Sequence, residues 1–445
     1  MDIPPCQATT VEGATRRTVL RFGLSSALAL TLGPTLLSGC SGGPSSKSID
    51  TVEFIWPGTS DVERAVAKDF AQSIGSLAKI TYDYLSWNDM EKTLAIRIRA
   101  NNPPDATMTQ DVTNLVSLKA LAPLDSYLAK GGAIDKSQYL PGTFEFSNIG
   151  GKQYSVPYLA TAFTLLVNVD LLKQAGLTPE GLKTWDDVEK AAAKMTKGDV
   201  YGIAYPLGNP RFAFRQPLTI AYSNDLVIND LSDAAAPKWE ELLGHLQRLQ
   251  KYSPKAQVTW NYPDMWRAYA TGKVAMVVGG TYFTANVYSI NPDIVGKTRE
   301  IAYPVGPSGS KPQVPVSTVG YGMFNGAKNP DTVWKLLSLL TSDKWTARMA
   351  AAVNIPAKKS ITAGTLAEIA KSIYPQAISG HQQITSDSFQ LVEQYGVPLV
   401  RIPGQPEMES AFQPIVLNLM RGGLSPAGAR GQIYKELGAI AKQNE

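Results

Sequence analysis

Cysteine and histidine are nearly missing from this chain, and their scarcity removes whole classes of chemistry. Two cysteines, Cys6 and Cys40, in 445 residues cannot build a disulfide framework, and no C-x-x-C pair exists for a metal or redox site. The only histidines, His245 and His381, lie far apart in sequence, which leaves a zinc site or a Ser-His-Asp triad very few candidates. No H-E-x-x-H or glycine-rich phosphate loop is present. In "VGYGMFNG" (319–326) Asn325 occupies the place of the third glycine that a dinucleotide loop needs. Charge is sparse as well. Asp, Glu, Lys and Arg make up 18% of the chain, below the roughly 25% of soluble domains, and a net charge of +4 is too small to indicate a nucleic-acid binder. The apolar stretch Phe22–Leu37 is 16 residues long and is broken by Gly33 and Pro34, short of the about 20 residues of a spanning helix.

What is present begins with that stretch. Arg16, Arg17 and Arg21 precede it, so residues 1–39 read as a signal peptide. The Arg16–Arg17 pair resembles a twin-arginine export signal. Val19 stands where that signal usually has phenylalanine, which leaves the general secretion route open. "LSGC" (37–40) resembles a bacterial lipobox, which implies cleavage before Cys40 and attachment of diacylglycerol to its sulfur. Ser38 and Gly39 are small enough to enter a narrow protease groove. The following "SGGPSSKS" is polar, and residues 40–50 read as a tether of about 18 Å r.m.s. span. Cys6 would leave with the leader.

The whole chain is 44% hydrophobic, enough for a large core and two lobes. "TVEFIWPG" (51–58) reads as a strand ended by Pro57-Gly58. Ser60 and Glu63 form a capping box ahead of Val62, Val66, Phe70 and Ile74, spaced as one helix face. "AKITYDYLSW" (78–87) is a second strand, and "NDMEKTLAIRIRANNPPDATMTQ" a helix, a turn and a third strand. This alternation predicts an α/β fold with a parallel sheet, whose ligands gather beyond the carboxyl ends of the strands, a rim that takes in Trp56, Trp87, Gln110 and Asp111. Further on, Pro157 reads as a loop before the strand Thr164–Val169, and Thr184 with Asp187 opens a helix. Val274–Val278 reads as a strand closed by a glycine turn, Val314–Phe324 as strand-like, and Asn329-Pro330 as a helix start. The last eighty residues read as mostly helical, with a proline-rich break at "GVPLVRIPGQPEM" (396–408).

The order of these pieces resembles the extracellular solute-binding proteins of ABC importers, in the branch that binds carbohydrates. "EFIW", "PPDATMTQD", "GGKQYSVPYLATAFTLLVNVDLLKQAGL", "KTWDDVEKAAAKM", "YATGKVAMVVGGTYF" and "NPDTVWKLLSLLTSDKW…NIPA" follow one another over residues 50–360, behind a lipobox. The resemblance implies a two-lobe, type II-like periplasmic-binding-protein fold, each lobe a mixed sheet flanked by helices, with the ligand cleft at the hinge. Crossovers are expected near Leu159, Val314 and Ala357. The first lobe is then 51–159 with 314–357, and the second 160–313 with 358–445. It further implies a monomeric, non-enzymatic subunit of sugar transport, lipid-anchored to the outer face of the cytoplasmic membrane. Its partners would be ABC permease subunits and a carbohydrate, with no cofactor, metal or nucleic acid.

A sugar site needs flat aromatics against C–H faces and amides, carboxylates or arginine around the hydroxyls. Trp56, Trp260 and Tyr282 are the stacking candidates; Tyr282 stands where many relatives have tryptophan. Gln110 and Asp111 follow a strand as hydroxyl acceptors, though Asp111 serves equally as a helix cap. Tyr158 and Thr161 lie at the first crossover. Gly320 and Tyr321 sit where glycine lets backbone approach a ligand, and Arg401 is either a cleft guanidinium or a surface residue. Trp185, Trp334 and Trp345 fall at helical spacing and read as core. Three rivals remain: a glycoside hydrolase using Asp105 and Asp111, a binder of an anion, a polyol phosphate or a peptide, with Arg211 and Arg215 leaving phosphate recognition open, and a structural or adhesion lipoprotein.

Overall fold

The computed structural model describes residues 49–444 apart from 59, 111 and 131–133. The expected leader, lipobox cysteine Cys40 and tether therefore lie outside the described residues, as does Asp111. Three parallel strands open the fold: β1 (Asp50–Trp56), β2 (Ala78–Tyr84) and β3 (Ala106–Thr109). Local chemistry sets the helices between them. Ser60 and Glu63 close the expected capping box on the helix Asp61–Ser73, and Ser86 caps the helix Trp87–Arg99 through the Asp89 amide. A short hairpin, β4 (Asn148–Ile149) and β5 (Lys152–Gln153), precedes the long strand β6 (Val156–Asn168). The remaining strands are β7 (Tyr201–Ala204), β8 (Val274–Gly280), β9 (Thr298–Ile301), β10 (Val314–Met323), β11 (Ile355–Pro356) and β12 (Gly396–Pro398).

The main sheet runs β2-β1-β3-β10-β6-β8-β7, with β9 and β11 on β6 and β12 on β10. β6 is the strand that joins its two halves. Residues 156–162 pair with β10, whereas 163–167 pair with β8 and 165–168 with β9. The first half packs Val52, Phe54, Trp56, Phe70, Leu336 and Trp345 into one core. The second half packs Leu165, Trp185, Phe214, Trp239 and Phe412 into another. These are the two lobes of a mixed α/β fold flanked by helices.

Several elements depart from the expectation. The loop expected at Pro157 is strand. Proline has no N–H to give a ladder, and it is tolerated here because the pairing slips at this point: Leu159 faces Val319 and Pro157 faces Gly320, which leaves Tyr158 as the extra residue of a bulge. The glycine turn expected at 279–280 is the end of β8. Leu366, on the helix Ala363–Ile373, packs into the first core. The proline-rich break contains β12, parallel to the start of β10. Of the three tryptophans read as core, Trp185 and Trp345 are buried, while Trp334 is half-buried and stacks on Tyr127.

Candidate functional site

The carboxyl ends of β1, β2 and β3 point at a cavity of about 640 Å³ between the lobes. Its first-lobe wall comes from the turns after those strands and the helix starts they feed: Glu63 and Arg64, Tyr84, Trp87 and Asp89, and Gln110. The floor is β6, with Tyr158, Leu159, Thr161 and Phe163, together with Val319 and Asn354. The second-lobe wall is the first two turns of the helix Pro210–Tyr222, the start of the helix Tyr262–Ala270, and the residues after β8, including Tyr282 and Asn286. Asn209 caps the first of these helices by accepting from the Arg211 amide at 3.0 Å, which fixes Arg211 and Phe212 at the rim.

Aromatic rings line both walls. Tyr262 and Phe212 stack with centroids 4.0 Å apart and planes 6° from parallel, and Tyr282 packs against Tyr262 at 6.0 Å. Burial, partly offset by a hydrogen bond with Tyr262, pushes the Tyr282 phenol up to about 12. On the opposite wall Trp87 lies under the Arg211 guanidinium, 5.7 Å from ring to Cζ. A polar bridge crosses the cleft beside it. Arg211 Nη2 and Arg215 Nη1 both donate to the Gln110 side-chain oxygen, at 2.7 and 2.8 Å. Arg211 also pairs with Glu91 of the first lobe, and Arg215 Nε lies 3.5 Å from Glu409. Among the described residues the carboxylates lining the cavity are Glu63 and Asp89, and both serve helix caps. Glu63 accepts from the Ser60 amide and hydroxyl at 3.0 and 2.9 Å, and Asp89 from the Ser86 hydroxyl at 2.7 Å.

Four expected site residues line this cavity: Gln110, Tyr158, Thr161 and Tyr282. Five others are placed elsewhere. Trp56 is fully buried among Phe54, Tyr82 and Tyr321, so it has no face left for a ligand. Tyr321, 1% exposed, stacks on Tyr158 at 4.2 Å from beneath. Gly320 does give close backbone approach, but to the neighbouring strand: a Cβ there would lie 2.6 Å from the Ser155 hydroxyl oxygen. Trp260 is half-buried against the core around Trp266, and the ring that reaches the cavity is Tyr262, two residues on. Arg401 donates from Nη1 to the Asn148 carbonyl at 2.9 Å, away from the cavity. Asp105, offered above as a catalytic carboxylate, is buried and accepts the amides of Glu53 and Lys328 at 2.8 and 2.9 Å. Tyr262 and Phe212 were not singled out from the sequence, and Trp87 was placed at the rim of the strand ends without being counted as a stacking ring. The available signal was their position at helix starts that face the strand ends.

Comparison with known proteins gives a consistent picture. A family model described as bacterial extracellular solute-binding protein matches residues 51–347. The diacetylchitobiose binding protein DasA of Streptomyces coelicolor is 24% identical over 398 residues, covering 86% of this chain and 88% of its own. A protein of Brucella abortus, named only as a binding protein, is 23% identical over 283 residues, 60% of this chain and 66% of that one. An ABC substrate-binding protein of Listeria monocytogenes, solved with cycloalternan, superposes with a TM-score of 0.74 at 18% identity and covers 88% of this chain and 99% of its own. The GacH receptor of Streptomyces glaucescens, solved unliganded and with acarbose, gives 0.72 at 19% identity, with 89% and 100% covered.

Proposed function

The chain belongs to the bacterial extracellular solute-binding proteins, and from that premise we propose that it is the substrate-binding subunit of an ABC importer, capturing a carbohydrate between its lobes and delivering it to membrane permease subunits. The observation that carries the reading is the interlobe cavity, in which the flat rings of Trp87, Tyr262 and Tyr282 line opposite walls with Gln110 and two guanidiniums between them. Flat apolar plates with polar groups at their edges suit a ring that has C–H faces and hydroxyl edges. The solved relatives named above hold cycloalternan and acarbose, which supports the same class here. Catalysis by a carboxylate pair is the weaker reading, because Glu63 and Asp89 are committed to helix caps.

The test is a thermal-shift panel of sugars, amino sugars, oligosaccharides, polyols and sugar phosphates. A true ligand at 100 times its Kd adds about 2.7 kcal/mol of stability and raises Tm. A panel in which no saccharide shifts Tm, or in which one is hydrolysed, sinks this reading. The anchor is tested separately. Cys40→Ala should leave the protein unprocessed or move it from the membrane to the soluble fraction, whereas normal processing and membrane retention would remove the lipid tether. The released protein is expected to be monomeric.

A further inference from the structure

The hydrogen-bonding inventory of the cavity is lopsided. A neutral sugar hydroxyl both donates and accepts, so a site for neutral sugar supplies acceptors, usually carboxylates, as well as donors. Here each of the two described carboxylates on the walls gives one oxygen to a cap, Glu63 Oε2 to Ser60 and Asp89 Oδ2 to Ser86. Three arginines, Arg64, Arg211 and Arg215, line the same space, and a guanidinium has five donors and no acceptor; Arg64 is held by Asp61 and the Gly58 carbonyl. Two of them converge on one neutral atom: the Gln110 oxygen accepts from Arg211 at 2.7 Å and from Arg215 at 2.8 Å. An amide oxygen between two cations marks a place where an anionic oxygen would bind better, since a carboxylate adds charge–charge attraction to both guanidiniums and can accept from them in bidentate geometry. The site is built rather than loose. Arg211 is 4% exposed and lies over the Trp87 ring, and the Arg215 side chain is 12% exposed. The anion now pairing with Arg211 is Glu91, whose side chain is 43% exposed, so it can swing into water when another carboxylate arrives, while the buried Glu409 stays beside Arg215 Nε at 3.5 Å.

We propose that the saccharide taken by this cleft is acidic, a uronic acid or an oligomer carrying one, with its carboxylate held between Arg211 and Arg215. The proposal rests on the saccharide reading of the cavity and narrows it. The planar guanidiniums match a carboxylate in bidentate geometry, while Tyr262, backed by Phe212, presents a face to the attached ring. Gln110 and Glu91 act as placeholders that keep the guanidiniums paired until a ligand carboxylate replaces them.

Isothermal titration decides it, using galacturonate, digalacturonate and glucuronate against galactose, glucose, cellobiose and glucose 6-phosphate, at low and high salt. The expected result is a uronate binding about 30-fold or more tighter than its neutral parent, with affinity falling as salt rises. Arg215→Gln should erase that preference. Glu91→Gln should tighten uronate binding by removing the competing carboxylate, and this variant keeps the question open to refutation if the arginine variant fails to fold. A neutral parent that binds as well as its uronate overturns the acidic assignment and leaves the saccharide reading standing. Preference for glucose 6-phosphate over every uronate overturns the carboxylate and points to a phosphate. Heat from no saccharide of any kind removes both readings.

Discussion

Trp56 and Tyr262 show how far single residues could be read. Both are aromatic, and each lies close to a predicted strand end or helix start. Alternation along "VEFIW" tells that Phe54 and Trp56 share one face of β1, but not whether that face meets solvent, a ligand or another element. In the structure it meets Tyr82 and Tyr321, and these come from sequence positions that only the assembled sheet brings near. Trp260 was read two residues early for a similar reason: Asn261 caps the following helix and turns Tyr262, not Trp260, toward the cavity. The two aromatics should therefore fail differently. Trp56→Ala removes a fully buried ring and should cost about 3–5 kcal/mol of unfolding free energy, read as a lower denaturant midpoint. Tyr262→Ala should weaken saccharide binding about tenfold or more with a much smaller change in that midpoint. Equal stability losses with unchanged affinity would return Tyr262 to the core and remove it from the site.

At the level of elements, what was legible was local. The capping boxes Ser60/Glu63 and Thr184/Asp187 formed as read, because their hydrogen bonds span three residues. The length of β6 was not legible, because a proline inside a strand is tolerated only at a bulge or an edge, and the bulge depends on Val319 and Gly320 about 160 residues away. Nor could the sequence show that Glu300 on β9 is buried, accepting from Thr164 of β6 at 2.6 Å and from Ser388 of the helix Ile378–Tyr395. Burial, only partly offset by those two hydroxyls, raises its pKa from 4.5 to about 7. The sign follows from linkage. The folded state holds the proton more tightly than the unfolded chain, so this group's contribution is full below about pH 4.5 and is lost as pH rises through about 7. Glu300→Gln, which keeps the shape without the charge, should flatten stability across that window and leave the protein more stable above it. Denaturation curves at pH 5 and pH 8 measure the difference; equal slopes in wild type and variant would mean the carboxyl stays ionised in the fold. His381 works from the other side. Burial lowers its pKa from 6.5 to about 4, so the unfolded chain takes the proton first and stability declines as pH falls from about 6.5 toward 4. His381→Gln should remove that acid-side decline.

For the whole molecule, the two-lobe class was readable because six short pieces stand in order, yet the partition of the chain between lobes was not. The helix Ala363–Ile373 carries no mark of which core it joins; it packs on both the helix Asp343–Val353 and the helix Ile378–Tyr395, and Leu366 lies in the first core. The functional consequence lies in the cavity's double parentage. Trp87 and Gln110 belong to one lobe and Arg211, Arg215 and Tyr262 to the other, while the floor is β6, where the partners of the strand change between Ala162 and Phe163. A ligand can use both walls only when they are close, so it shifts the open–closed equilibrium by its differential affinity for the closed form and by nothing else. Moving that equilibrium from 1:99 to 99:1 takes about 5.5 kcal/mol of such preference. A saccharide that raises Tm should therefore also reduce the radius of gyration in small-angle X-ray scattering, and with Tyr262→Ala both effects should weaken together. A ligand that stabilises the protein without compacting it would be bound to one lobe alone, and the clamp would not be how this chain holds its cargo.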